Sequence, residues 1–160
     1  MFAILTHTPF WVWPLFLLLI WLGLRATKDR ESSVWMVYLL PLLGLITLSR
    51  ALALPQGNQA LMGFVVIYLV GAAVAFTLLR RWVQARNGST LSLRGEWLTM
   101  VAILGVFLTN FAAAVVGGRW PDTHATPGFA LGYGLVAGFF AGIFMGRALR
   151  AALWRAPAQG

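Results

Sequence analysis

The sequence predicts an all-α integral membrane bundle of five transmembrane helices, with the N-terminus outside and the C-terminus in the cytoplasm. Three observations predict it. First, five long apolar runs fall at roughly 9–24, 34–53, 60–82, 96–117 and 128–149, and about 20 apolar residues cross the ~30 Å hydrocarbon core of a bilayer. Second, the chain is 60% hydrophobic and only 10% charged, against about 25% charged in soluble domains. Third, the basic residues alternate between the two sides. Arg25, Lys28, Arg30, Arg80, Arg81, Arg86, Arg94, Arg147, Arg150 and Arg155 share one side, and only Arg50 and Arg119 the other, ten against two. Excess Lys/Arg marks cytoplasmic loops.

Each run has its own punctuation. Thr8-Pro9 is a helix start, since Thr caps free N–H groups and Pro is tolerated at the first helical position. Trp11 and Trp13 follow at the depth of an aromatic belt, and Pro14 is expected to bend the span. Run one is short for a straight crossing, so residues 1–8 or a thinned bilayer must help. The segment 28–33 reads as a polar turn with Ser33 capping span two, and Pro41 predicts a kink within that span. Leu54-Pro55-Gln56-Gly57 is turn chemistry, making spans two and three a tight external hairpin. Arg80-Arg81-Trp82 closes span three as an interface anchor. The longest loop, about 83–95, turns at Asn87-Gly88-Ser89. Gly95-Glu96-Trp97 opens span four, Gly117-Gly118 ends it, and Thr126-Pro127 starts span five. Together the spans form a single transmembrane domain, residues 1–160.

In span five Gly134, Gly138, Gly142 and Gly146 recur every four residues, and Gly128 and Gly132 add another four-residue step upstream. Such positions stack along one helix face with a drift of about 40° per step, and the resulting groove lets another helix approach closely. The first expectation is packing inside the chain against span four, through Gly105, Ala113 and Gly117. A homo-oligomer contact is the second.

A set of polar residues gathers by topology at the outer side: His7, Arg50, Asn110, Arg119, Asp122 and His124. Arg50 and Asn110 lie a turn or two inside their spans. Arg50 can snorkel to the interface, and Asn110 can bond Thr47 or Ser49 of a neighbouring helix. The functional alternative is a shallow outward pocket of Arg50, Asn110 and Arg119 holding an anion, for which a planar guanidinium is suited. His7 and His124 have no helical partner at three or four residues, so no metal site or haem is expected, and no cofactor. Glu96, at the start of span four, reads as a cap favoured by the helix dipole and ion-paired to Arg94, Arg80 or Arg81.

The opening His7-Thr8-Pro9-Phe10-Trp11-Val12-Trp13, running to Leu22-Gly23-Leu24-Arg25, resembles the start of a family of small bacterial inner-membrane proteins of unknown function. Gly95-Glu96-Trp97 is similar to the Gly-x-Trp opening of that family's fourth span. The resemblance implies a multi-pass protein of the bacterial inner (plasma) membrane and carries no catalytic or binding residues.

The functional expectation is therefore a non-enzymatic membrane protein acting through helix contacts or as an accessory subunit. A small transporter or binding protein for an anionic or amphipathic solute is the alternative. The charge of +8 lies at helix ends and not on one face, so the expected partners are the lipid bilayer and its anionic cytoplasmic headgroups, and no nucleic acid. The absence of cysteine removes disulfides and thiolate chemistry.

Overall fold

The structure is a computed structural model that describes residue 10 and residues 12–153. His7, Thr8-Pro9, Trp11 and Arg155 lie outside the described residues. In chain order the elements are α1 (Val12–Ala26), β1 (Arg30–Ser33), α2 (Val34–Leu52), α3 (Gly57–Leu78), β2 (Val83–Asn87), β3 (Thr90–Leu93), α4 (Leu98–Arg119), the single turn α5 (Pro121–His124) and α6 (Pro127–Ala152). The described chain is mostly helical. Helices α2, α3, α4 and α6 are long and apolar enough to cross a membrane. With 15 residues, α1 reaches about 22 Å at 1.5 Å per residue.

Helix α6 is the most buried and forms the axis of the bundle, with α2, α3 and α4 around it and α1 resting on α4. Phe16 of α1 stacks on Phe107 of α4 with ring centroids 5.4 Å apart. One turn from the end of α1, the Met100 side chain lies over Gly23, where a Cβ would collide with it. Thr126 caps α6, its hydroxyl accepting from the Phe129 N–H at 3.2 Å with Pro127 at the first helical position. Pro14 stands in the first turn of α1, where a missing N–H breaks no helical bond, so the bend expected there has no cause.

The closest helix pair is α3 with α6. Cβ atoms added at Gly134, Gly138, Gly142 and Gly146 would run into the carbonyl oxygens of Ala60, Phe64, Tyr68 and Ala72. Both rows step by four in the same direction, so the helices run parallel and in register. The contact is reciprocal, since Gly63 and Gly71 of α3 abut the carbonyls of Leu131 and Phe139. This corrects the expected pairing of the series with span four. There, Gly105 receives the Phe140 ring and Gly117 lies against the His124 ring. Helix α3 is the complementary partner because it sets small residues, Gly63, Gly71 and Ala72, against the glycine row. Its backbone can therefore come within van der Waals contact, the source of helix affinity in lipid.

One end of the bundle is closed by a sheet that the apolar runs did not reveal. Strands β1, β3 and β2 form an antiparallel sheet in that order, pairing Arg30 with Leu93, Ser33 with Thr90, and Asn87 with Thr90 across the hairpin. Gly88, at φ 59°, takes the first central position of the two-residue turn, as glycine does in II′ hairpins. Leu91, Leu93 and Val83 are buried against Val34, Val37, Leu79, Ile143 and Phe144. Directly paired residues share a face, so the opposite face carries Glu31 with Ser92 and Ser33 with Thr90. The sheet has two open edges, and edges do not occur in hydrocarbon; it belongs at the water boundary.

The sheet also corrects several local readings. Run three ends as a helix at Leu78, not at 82, because residues 79–82 turn into β2. Trp82 is 3% exposed and part of the core, not an interface anchor. Ser33 does precede α2, but its side chain makes no capping bond; the Val34 N–H donates instead to the Ser89 carbonyl at 2.9 Å.

Candidate functional site

The chemistry concentrates where the sheet meets the bundle. Between β3 and α4 the chain passes through Gly95-Glu96-Trp97. A Cβ at Gly95 would strike the Thr27 carbonyl, so only glycine fits this crossing. Its N–H donates to Asp29 Oδ1 at 2.7 Å, and the Glu96 N–H donates to the Ala26 carbonyl at 3.0 Å. These two bonds tie the α1–β1 connection to the start of α4. Trp97 is 62% exposed.

Glu96 is thereby aimed into the bundle. Its Oε2 accepts from the Thr99 N–H at 2.9 Å, capping the first turn of α4. Its Oε1 accepts from the Thr99 hydroxyl and from Arg147 Nη1. Arg147 is 1% exposed, and its guanidinium lies over the Trp82 ring with Cζ 4.3 Å from the centroid, a cation–π arrangement. Its Nε–H is buried without an acceptor. The glycine seam positions this arginine, because Gly146, the preceding residue, seats α6 on Ala72 of α3.

Arg30 shares the bundle-facing side of the sheet with Leu93. Burial pushes its guanidinium below the usual arginine range; Glu96 opposes that shift and Arg25 adds to it. Arg30 and Arg147 also repel one another. Two guanidinia around one carboxylate leave the cluster with one net positive charge.

Sequence reasoning missed the partner of Glu96. Arg94, Arg80 and Arg81 were the expected candidates, whereas the partner is Arg147, on a helix 51 residues further on. Arg80 instead offers its backbone carbonyl to Arg150 Nη2 at 2.7 Å.

At the opposite end, Asn110 donates from Nδ2 to its own helix at Val106 O (2.8 Å) and accepts from the Tyr133 hydroxyl on α6 at 3.0 Å. Thr47 and Ser49, expected to meet it, bond the Leu43 and Ile46 carbonyls of their own helix. Arg50 and Arg119 are exposed in the last turns of α2 and α4. Arg50 lies within electrostatic reach of the Tyr133 hydroxyl. Among the described residues no hydrogen bond joins Arg50, Asn110 and Arg119 to one another. A surface depression of ≈310 Å³ at this end is lined by Leu52 and residues 54–59, none of those three. The His124 ring packs on Phe129 at 5.2 Å, and among the described residues no group of three His, Asp or Glu could hold a metal ion.

The several long apolar helices mark a multi-pass membrane protein. The chain matches the model of a family of unknown function (DUF6622) over residues 1–159, and it belongs to that family. Neither curated proteins nor solved structures yield a match.

Proposed function

We propose that the chain is a non-enzymatic accessory protein of the bacterial inner membrane. In this reading α1 is the fifth span, the N-terminus is outside, and the sheet-capped end faces the cytoplasm and its anionic headgroups. The observation that carries the reading is the joint between sheet and bundle. The charged groups there, the buried Arg147 and the partly buried Glu96, are spent on each other, on Thr99 and on Trp82. They fix a platform in place. The axis of the bundle is α6 itself, in backbone contact with α3, which is the place a solute path would need open. Basic residues support the orientation: Arg25, Lys28, Arg30, Arg80, Arg81, Arg86, Arg94 and Arg150 lie at the sheet end, Arg50 and Arg119 at the other. The glycine series is committed inside the chain, so a homo-oligomer would assemble through a different face.

An outward anion pocket keeps one supporting observation, Arg50 close to the Asn110–Tyr133 pair. Native mass spectrometry from a mild detergent, joined to thiol labelling, separates the readings. The chain has no cysteine, so Asn87→Cys and Asp122→Cys each report one site. With an impermeant maleimide on spheroplasts, Asp122→Cys is expected to label and Asn87→Cys only after lysis. The mass spectrum is expected to show the chain with lipid or a second polypeptide. The reverse labelling overturns the orientation, and a monomer carrying a defined soluble anion overturns the accessory role.

A further inference from the structure

The corner between α1 and β1 carries positive charge that no carboxylate among the described residues pairs with directly. Arg25 ends α1 with its guanidinium 5.7 Å from the Trp21 ring. Arg30 follows on β1, turned toward the bundle by its register opposite the buried Leu93. Among the described residues neither guanidinium has a hydrogen bond or ion pair to a carboxylate. The acids nearby are already committed or turned away. Glu96 is held by Arg147 and Thr99, Asp29 binds the Gly95 N–H, and Glu31 sits on the opposite face of the sheet with Ser92. Behind Arg30 lies Arg147, 1% exposed, with a buried Nε–H that lacks an acceptor. Lys28 adds a further cation between the two arginines in sequence.

A half-buried cation whose nearest carboxylate is already hydrogen-bonded to another guanidinium has lost part of its hydration for an incomplete return. An anion that approaches from the lipid–water boundary restores the balance. Phosphate oxygens suit the place, because a guanidinium presents a planar fork of donors that meets phosphate with paired, charge-assisted hydrogen bonds. Trp97, exposed and adjoining Glu96, supplies the amphipathic ring typical of headgroup depth. We propose that Arg25 and Arg30 form a binding site for a phosphate group at the α1–β1 corner, against the Glu96–Arg147 pair. Its two possible sources, a lipid phosphodiester and free phosphate, share this chemistry. The headgroup source rests on the reading above that the sheet end faces the cytoplasmic leaflet; the site itself does not.

The test uses the full chain in a neutral detergent, with short-chain phosphatidylglycerol, short-chain phosphatidylcholine or inorganic phosphate added, read by thermal unfolding and by lipid adducts in native mass spectra. Phosphatidylglycerol is expected to raise the unfolding midpoint and to persist as an adduct, with phosphatidylcholine doing neither. Arg25→Gln and Arg30→Gln are each expected to weaken that binding about tenfold, the scale of one lost hydrogen bond to a charged group. Arg86→Gln, on the far edge of the sheet, is expected to leave it unchanged. A rise with inorganic phosphate, lost in Arg30→Gln, supports the site and assigns it to a soluble phosphate. Equal loss in Arg86→Gln, or binding unaltered in both Arg25→Gln and Arg30→Gln, overturns the site and leaves only diffuse surface charge. Both variants change exposed or half-buried positions outside the core, so folding is retained for comparison. The thiol-labelling pattern is read on the same variants. If it holds while binding fails, this inference falls and the orientation stands.

Discussion

Gly142→Leu is expected to abolish the folded protein, and Gly132→Leu to be tolerated, although both are glycines of one helix, α6. At Gly142 a Cβ would overlap the Tyr68 carbonyl. The obstacle is backbone, which cannot rotate aside like the end of a side chain, and even modest overpacking costs about 1–3 kcal/mol. Gly142→Ala is therefore expected to lose that amount, and the three further carbons of leucine must force α3 from α6. At Gly132 there is nothing within 4 Å, and a leucine side chain there meets lipid, for a change within about 0.5 kcal/mol. Fluorescence-detected size exclusion and thermal unfolding in detergent check both. A stable, monodisperse Gly142→Leu protein would show that the seam is not what joins these helices.

Breaking the ion pair is the second large effect. Glu96→Leu leaves Arg147 buried with only the Trp82 face as company, and an uncompensated buried charge costs about 3–5 kcal/mol. Arg147→Leu is expected to cost less. The carboxylate then keeps the Thr99 N–H and hydroxyl and has Arg30 within electrostatic reach. The double replacement, Glu96→Leu with Arg147→Leu, is expected to recover part of the loss, since apolar pairs can substitute for buried ion pairs. A double-mutant cycle of unfolding free energies reads this directly, and additive losses would deny the coupling.

Sequence alone made the long helices legible, because apolar runs of about 20 residues leave little choice. α2 and α4 begin within two residues of the apolar runs that predict them. The four-residue glycine spacing was legible too, but not the helix it meets. That partner is identified by the small residues of α3, whose Gly63 and Gly71 are eight apart and weaker as a pattern. The sheet was hidden because its strands are four or five residues long and interspersed with arginine, which reads as loop. A trace was present in Thr90-Leu91-Ser92-Leu93, which alternates polar and apolar with the period of a strand, beside the Asn87-Gly88 turn. Glu96 could be read as a cap from its place at the helix start. Its ion-pair partner could not, because Arg80, Arg81 and Arg94 are nearer in sequence and only the packing of α6 on α3 brings Arg147 to it.

If the Glu96–Arg147 pair holds the sheet against the bundle, its loss frees the sheet first. Hydrogen–deuterium exchange, resolved along the chain and compared between the wild-type protein and Glu96→Leu in the same detergent, reads this. Residues 83–93 are expected to lose protection while residues 134–146, along the glycine seam, keep it. Unchanged protection across 83–93 would show that the ion pair does not anchor the sheet.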